Sequence, residues 1–405
     1  MASYLDGTTS VSVGVSIVLF NSVFHLSPWM IGVLVSGFQL AFAVGAIVGG
    51  RLGDVFGRRA VYSADLLICA VAMLVIIIAP NPAVLVVGFV ITGLALGADI
   101  PASVALVFEE ASAGRRGSAV AMSQVFLFSG VVLTQFIGIG VSDLGGLGAR
   151  LLFVHPMVVS LIVWFLRREM KESPAWEQAN VTVDARARRK RDLRLLLRQP
   201  YGSALIAITV FYVFSSVSGN ITGQYSTYLI TTISKSTVLT ATIVSVGTTL
   251  LLIAAGVAFQ RLVDRTAARR VLFVLGTALT VVGSLVPLIA GFSLWSVVVM
   301  LCATGVGFAW AGEGLFRVWT QEIFPTEIRS TSQGLTYGIG RFAIAGYGVF
   351  VPALAADGPT ALMVVMAACG AVTAVLGLLW IPQLTHARPV TRSAGAPLLL
   401  SRARG

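Results

Sequence analysis

Charged residues are scarce in this sequence. Only 11% of its 405 residues are charged, whereas 57% are hydrophobic, and the mean hydropathy is +0.91. So few charges cannot cover the surface of a soluble globule of this size. The composition therefore excludes an ordinary soluble protein and predicts a membrane protein.

Histidine and cysteine, with three residues of each, are also rare. His25, His155 and His386 are scattered, and the sequence contains no H-E-x-x-H, no G-x-S-x-G and no phosphate-binding glycine loop. The cysteines lie far apart in apolar segments, without disulfide or metal spacing. We therefore expect no enzyme activity, no cofactor and no metal, and a membrane enzyme or receptor is the least favoured of the alternatives.

Apolar segments of about 20 residues, the length that crosses a membrane as a helix, follow one another along the chain. We predict an all-α membrane protein with twelve transmembrane helices. The spans are 3–24, 29–50, 60–79, 83–108, 117–141, 151–167, 201–230, 237–259, 270–291, 294–320, 330–355 and 359–381. The apolar part of the first span, Val11 to Phe24, has only 14 residues, so we expect that the start of this helix is missing or has been placed too late.

Basic residues are concentrated in alternate loops, and short loops rich in Lys and Arg stay in the cytoplasm. Of the 28 Lys and Arg residues, 24 fall in loops and termini on one side of this layout. Both termini are therefore predicted to be cytoplasmic, and the net charge of +11 reflects topology rather than a nucleic-acid partner. We expect a monomer that spans the plasma membrane several times.

One pattern of charges occurs twice. "EEASAGRRGS" places Glu109 and Arg116 seven residues apart, and "QEIFPTEIRS" places Glu322 and Arg329 at the same interval. The two pairs are separated by 213 residues, close to half of the chain. The repeat predicts two related halves. The predicted organisation is a six-helix bundle at 1–168, a charged cytoplasmic linker at 169–199, a second six-helix bundle at 200–382 and a cytoplasmic tail at 383–405.

Loop signatures connect this repeat with a known family. "GGRLGDVFGRR" resembles the G-x-x-x-D-x-x-G-R-R/K signature of the major facilitator superfamily. The chain also resembles the sugar porters and related metabolite:proton symporters at Pro101, Glu109, Arg116, Gly117, Glu172, Ser173, Pro174, Trp176, Glu322, Phe324, Pro325 and Arg329. The resemblance implies two pseudo-symmetric bundles and secondary active transport by alternating access.

The repeated charges predict a cytoplasmic gate. A carboxylate at a helix end and an Arg seven residues later can pair with the charges of the neighbouring loop, so we expect one cluster in each half. The first cluster is Asp54, Arg58, Glu109 and Arg116, and the second is Asp264, Arg269, Glu322 and Arg329. The resemblance implies that such clusters close the cytoplasmic side while the cavity faces outward. The alternative is that these charges only set the topology and cap helices.

Charges inside spans are costly and indicate function. The candidates for the substrate and proton pathway are Asp6, Asp99, Gln124, Ser216, Asn220, Gln224, Tyr225, Trp310, Glu313 and Arg317. We hypothesise that Asp99, Glu313 or Asp6 carries a coupling proton. For Glu313 the alternative is a structural pair with Arg317, four residues later. Asp65 is expected to be structural, and Arg341 either reaches the cavity or holds the bundle together.

Three positions show where the resemblance to sugar porters holds and where it fails. Asp6 matches the acidic position of their first span, but Phe89 stands where they carry its basic partner in span four. Gln124 matches their sugar-binding Gln of span five. We therefore predict a secondary active transporter that takes up a small polar metabolite, such as a sugar, polyol or organic acid, together with protons. The alternative is a drug or metabolite exporter, a proton antiporter on the same fold.

Overall fold

The computed structural model describes residues 1–167, 171–180, 194–234, 236–348, 359–381 and 383. The described part is helical and contains no strand. Its α-helices are α1 (Ala2–Phe24), α2 (Pro28–Phe56), α3 (Arg58–Ile78), α4 (Pro82–Glu110), α5 (Arg116–Val141), α6 (Gly145–Arg167), α7 (Pro174–Asn180), α8 (Tyr201–Ile233), α9 (Val238–Leu262), α10 (Thr266–Ala290), α11 (Leu294–Ala311), α12 (Glu313–Ile323), α13 (Arg329–Gly348) and α14 (Pro359–Val375). Most of the predicted linker 169–199 and nearly all of the tail 383–405 lie outside the described residues.

Twelve spans can be assigned to these helices: α11 and α12 together make the tenth, α13 makes the eleventh, and the short α7 lies outside them. Residues 349–355 of the predicted eleventh span lie outside the described residues. Ten stretches of described helix are long and apolar enough to cross a membrane, and one of them, Ala113–Arg167, contains both α5 and α6. The first helix, α1, has 23 residues, and at about 1.5 Å per residue this length also crosses a hydrocarbon core.

Two helices begin at the gaps between predicted spans, because polar side chains there satisfy the free N–H groups of the first helical turn. The Asn81 side chain accepts a hydrogen bond from the Val84 N–H at the start of α4. Ser293 and Ser296 form a reciprocal capping box at the start of α11.

The tenth span differs from the prediction of one continuous helix over 294–320. The helix ends at Ala311, and a second helix begins at Glu313 after Gly312. A Cβ on Gly312 would overlap the ring of Phe308, so the break occurs where the residue has no side chain. The break places Glu313 in the first turn of α12.

The helices pack as two six-helix bundles. In the first bundle α2 packs on α4, α3 on α4 and α6, and α1 on α5 and α6; in the second, α10 packs on α11 and α14, and α8 on α11 and α14. The bundles meet where α2 crosses α13 and where α5 crosses α9. The repeat relates these two crossings, since α2 corresponds to α9 and α5 corresponds to α13. The boundary between the bundles is therefore pseudo-symmetric.

Glycine permits the close approach of α2 and α13. A Cβ on Gly50 would lie 3.0 Å from the Cα of Gly334, and a Cβ on Gly334 would lie 3.1 Å from the Cα of Gly50. The glycine of the loop signature therefore lies at the boundary between the bundles.

Candidate functional site

The loops that join α2 to α3 and α4 to α5 lie at one end of the molecule, together with α7; we call this end the linker face. Arg58 is fully buried there. Its guanidinium lies 2.9 Å from the Asp54 carboxylate and 3.2 Å from that of Glu109, and it donates a 2.7 Å hydrogen bond to the Thr326 carbonyl in the second bundle. The predicted pairing of Asp54, Arg58 and Glu109 is present.

The fourth charge of this cluster comes from the other half of the chain. Arg329 Nη1 lies 2.8 Å from Glu109 Oε1 and joins the two bundles. Arg116, which was expected here, is exposed and lies over the Phe108 ring, 5.2 Å from its centre. The expected membership was therefore wrong at one position: Arg329 pairs with Glu109 because α13 starts against the end of α4.

Asp54 and Asp264 each reach a helix start in the opposite bundle. Asp54 accepts hydrogen bonds from the Ser330 and Thr331 N–H groups of α13, at 3.2 and 2.6 Å. Asp264 accepts hydrogen bonds from the N–H groups of Gly117 and Ser118 in α5, at 2.8 and 3.0 Å. A carboxylate at a helix N-terminus satisfies free N–H groups and interacts favourably with the helix dipole.

The second predicted cluster is only partly assembled. Arg269 Nη1 lies 2.8 Å from Glu322 Oε1, and the side chains are 19% and 30% exposed. Asp264 and Arg329 contact the first bundle instead. Of the second cluster, Arg329 and Asp264 therefore bind across the boundary, whereas Arg269 and Glu322 pair within their own half.

The short helix α7 is attached to the same face. Glu172 accepts hydrogen bonds from the N–H groups of Arg58 and Arg59, both at 3.0 Å, and the Trp176 indole donates to the Asp54 carbonyl at 2.9 Å. Glu172 and Trp176 were identified in the sequence by resemblance alone. In the structure Glu172 caps the start of α3, and Trp176 contacts the end of α2.

A second group of charges lies at the centre of the molecule, between the bundles. Glu313 and Arg317 form an ion pair on α12, the contact that the sequence offered as the alternative role of Glu313. Arg317 also donates to Ser3 of α1 and Ser123 of α5, at 2.7 and 2.9 Å. The pair therefore joins α12 to the first bundle.

The same group continues through α13 to Asp6. Tyr337 donates to Glu313 at 3.1 Å, and Arg341 donates to Tyr337 at 2.6 Å. Arg341 Nη2 lies 3.3 Å from Asp6 Oδ2, and Ser10 donates to the other Asp6 oxygen at 3.2 Å. We call this set, Ser3, Asp6, Ser10, Ser123, Glu313, Arg317, Tyr337 and Arg341, the central network.

The central network gives Asp6 a basic partner other than the one that Phe89 replaces. The sequence identified Arg341 as a charge inside a span, but it left open whether this residue reaches the cavity or holds the bundle together. Tyr337 was missed, and its only signal is its position one turn before Arg341. Both side chains lie among aromatic rings: Arg341 is 4.8 Å from the Phe42 ring centre, and Tyr337 stacks with Tyr212 at 5.2 Å.

Among the polar candidates, Gln124 and Ser216 have unused hydrogen-bonding atoms. Gln124 is 3% exposed, and both its amide nitrogen and its oxygen lack a partner within the described residues. It lies against Gly314, beside Glu313. The Ser216 hydroxyl also lacks a partner in the described part of the chain.

The remaining candidates are less informative. The Trp310 indole donates to the Ala255 carbonyl at 3.0 Å, so its N–H is occupied. Asn220 is half-buried on α8. The side chains of Gln224 and Tyr225 lie outside the described residues.

Asp99 is not part of the central network. Its Oδ1 lies 3.6 Å from Arg167 Nη1, within the first bundle. Arg167, the last residue of the predicted sixth span, is 5% exposed at the end of α6. Asp99 and Glu313 are thus each paired with an Arg, but in different parts of the molecule.

Comparison with known sequences decides the family. Residues 1–348 match the sequence profile of the Major Facilitator Superfamily. The chain belongs to the Major Facilitator Superfamily. Its members are transporters rather than enzymes, which confirms the expectation drawn from the missing catalytic motifs, and the chain is a multi-pass secondary transporter.

Relatives in this superfamily carry sugars and polyols. The minor myo-inositol transporter IolF of Bacillus subtilis is 27% identical over 390 residues, which cover 94% of this chain and 89% of IolF. The arabinose-proton symporter of Bacillus subtilis is 28% identical over 182 residues, which cover 44% of this chain and 39% of the symporter.

Solved structures show the same fold. The proton:xylose symporter XylE, bound to 6-bromo-6-deoxy-D-glucose, superimposes with a TM-score of 0.81 at 17% identity, and the match covers 94% of each chain. The predicted resemblance to sugar porters and the two-bundle architecture are both confirmed.

Proposed function

We propose that this superfamily member takes up a polyol or sugar together with protons, with a cyclitol such as myo-inositol as the first candidate. IolF, which aligns along nearly the whole chain, supports the substrate class. The large excess of basic residues in loops on one side supports a plasma-membrane location in which the linker face and both termini are cytoplasmic.

The observation that carries the substrate proposal is the unpaired Gln124 amide. A buried amide that lacks partners costs about 1–3 kcal/mol, and a hydroxylated ligand can bond both of its atoms. Gln124 lies beside the first turn of α12, where the second bundle contributes Glu313. A substrate bound there would touch both bundles, as alternating access requires.

The proton proposal rests on the pair of Asp6 and Arg341. Asp6 belongs to the first bundle and Arg341 to the second, and their atoms are 3.3 Å apart. Protonation of Asp6 would remove one of the charges that hold these bundles together. We therefore assign the coupling proton to Asp6, whereas Glu313 is already bound by Arg317 and Tyr337.

The contacts at the linker face support an outward-facing conformation. Glu109, Asp54 and Asp264 all bind the opposite bundle there. In the transport cycle these contacts would form while the outside is open and break when the cytoplasmic side opens.

The test is ligand-induced stabilisation of the purified full chain. Any ligand of the folded state raises the apparent melting temperature, so we expect a shift with myo-inositol or a related polyol. Gln124→Ala should weaken the apparent affinity about tenfold, which corresponds to about 1.4 kcal/mol. Gln178→Ala, which changes an exposed residue of α7, is the matched control and should behave as the wild type.

Two results would contradict the proposal. Stabilisation by hydrophobic drugs and not by polyols or sugars would favour the exporter. Equal polyol affinity in Gln124→Ala and the wild type would show that the substrate does not bind at Gln124 of α5.

A further inference from the structure

Two buried amide side chains lie against each other in the second bundle. Gln321 of α12 and Gln333 of α13 are both fully buried, and Gln321 Nε2 donates a 3.1 Å hydrogen bond to Gln333 Oε1. Gln321 Oε1 and Gln333 Nε2 have no hydrogen-bond partner within the described residues. The two residues, which we call the amide pair, therefore keep one acceptor and one donor unused.

On α12 the amide pair lies directly behind the contacts of the linker face. Gln321 follows Arg317 of the central network by four residues, so the two side chains lie on one side of the helix. The Gln321 carbonyl accepts a 3.2 Å hydrogen bond from Arg329, which also binds Glu109 across the boundary between the bundles. Gln321 is therefore placed between the central network and the linker face.

The residues of α13 follow the same order. The N–H group of Thr331 binds the first bundle at the linker face, Gln333 comes two residues later, and Tyr337 of the central network follows Gln333 by four residues. Tyr337 donates to Glu313 of α12, and Gln333 accepts from Gln321 of the same helix. Two side-chain hydrogen bonds thus join α12 to α13, and the amide pair is the one nearer to the linker face.

The unused atoms determine which ligand the amide pair can bind. A hydroxyl group both donates and accepts hydrogen bonds, so one ligand hydroxyl can satisfy Gln321 Oε1 and Gln333 Nε2 together. Buried amide atoms without partners are costly, and such a ligand removes that cost. Amides carry no charge and do not titrate at physiological pH, so the pair suits a neutral hydroxylated ligand and not the coupling proton.

We propose that the amide pair is a second binding site for the transported polyol, occupied during its release at the linker face. The ligand is the substrate of the proposed function, so this inference rests on that function. Gln321 lies seven residues beyond Gly314, the residue of α12 that Gln124 lies against, and the second site is therefore about 10 Å nearer to the linker face. It becomes accessible when the contacts between the bundles at that face break.

The experiment measures the affinity for myo-inositol separately on the two sides of the membrane. Vesicles of the two orientations, containing the full chain, expose either the outer end or the linker face to the medium. Exchange of labelled myo-inositol at equal pH then gives the half-saturating concentration on each side. In the double variant Gln321→Met and Gln333→Met, this concentration should rise about fivefold at the linker face and stay unchanged at the outer end.

Thr336→Val is the matched control for the double variant. It changes another fully buried polar residue of α13, but one whose hydroxyl is already bonded to the Ser332 carbonyl at 2.8 Å. This variant should keep the wild-type affinity on both sides.

Two further measurements separate ligand binding from other roles of the amide pair. Among singly deoxygenated myo-inositols, one should bind more weakly than myo-inositol at the linker face of the wild type. The double variant should bind the two compounds equally there, because both changes remove the same hydrogen bonds. Replacing both members of a buried hydrogen-bonded pair by apolar groups of similar shape is nearly neutral or stabilising. The ligand-free double variant should therefore melt at or above the wild-type temperature.

Three results would overturn the proposal. The first is a wild-type half-saturating concentration at the linker face in the double variant. The second is an equal loss of affinity for myo-inositol and all its deoxygenated analogues, which would indicate a shifted conformational equilibrium rather than a lost contact. The third is a lower melting temperature of the ligand-free double variant, which would make the amide pair a structural contact between α12 and α13.

The same vesicles keep this inference distinct from the proposed function. Gln124→Ala tests the proposed function, because it should weaken the affinity for myo-inositol at the outer end. The double variant tests the amide pair, because its effect is confined to the linker face. Each proposal therefore fails on its own measurement.

Discussion

Asp54 and Asp264, 210 residues apart in the chain, make the same contact in opposite directions. Asp54 of the first bundle caps α13 of the second, and Asp264 of the second caps α5 of the first. Each accepts hydrogen bonds from two successive N–H groups. Two equivalent helix-capping contacts therefore join the two halves of the chain at the linker face.

We predict that Asp54→Asn and Asp264→Asn each shift the protein toward the conformation open at the linker face. The carboxamide keeps the shape but loses the charge and one acceptor, at a cost of about 1–2 kcal/mol for Asp264 and about 3 kcal/mol for Asp54, which also pairs with the buried Arg58. The measurement is maleimide labelling of a cysteine at Ser332, a buried position near the start of α13, in a chain without its native cysteines.

The effect of Asp54→Asn should be the larger, because Asp54 is buried and also pairs with Arg58, whereas Asp264 is exposed. The two effects should add, because the residues lie at separate crossings. Asp143→Asn, which changes an exposed residue, is the control and should leave labelling unchanged. Unaltered labelling in both Asp54→Asn and Asp264→Asn would show that these contacts do not hold the closed state.

Glu109 and its neighbour Glu110 provide a matched pair of positions for testing the ion pairs that Glu109 forms. Glu109 is bound by Arg58 and Arg329, whereas Glu110 is exposed. Glu109→Gln leaves two buried guanidinium groups short of negative charge, so we expect a loss of about 3 kcal/mol. Glu110→Gln should change stability by less than about 0.5 kcal/mol. Thermal unfolding in detergent measures both variants. Equal melting temperatures would show that the ion pairs of Glu109 do not stabilise the protein.

The break in the tenth span also gives a prediction. Gly312→Ala places a methyl group against the Phe308 ring, and such overpacking costs about 1–3 kcal/mol. Gly247→Ala introduces the same change in open space on α9, where it should stabilise the helix by up to about 1 kcal/mol. Melting temperatures that move in opposite directions would confirm this account; a parallel change would contradict it.

The fold was largely predictable from the sequence. Apolar runs of membrane-crossing length give the spans, and the repeat of Glu109 and Arg116 at Glu322 and Arg329 gives the two bundles. The break at Gly312 was not predictable, because an isolated Gly inside a continuous apolar run is usually tolerated in a helix.

The sequence named most of the charged residues of the candidate site, but their contacts could not be predicted from it. The repeat suggested that each half assembles its own cluster, whereas Arg329 and Asp264 bind across the boundary. The helix starts of α13 and α5 face the opposite bundle, and sequence spacing carries no information about that. The pair of Arg167 and Asp99 was not predicted for a similar reason: Arg167 adjoins a basic linker, and nothing in the sequence shows that its side chain lies beside Asp99.

The central claim is that Asp6, paired with Arg341 across the bundles, couples protons to polyol uptake. Proteoliposomes containing the full chain allow two assays of labelled myo-inositol: uptake driven by an inward proton gradient, and exchange at equal pH on both sides. The most direct measurement is the ratio of these two rates in Asp6→Asn. We expect exchange to persist in this variant while gradient-driven accumulation is lost. Accumulation that continues in Asp6→Asn at the wild-type level would show that Asp6 does not carry the coupling proton.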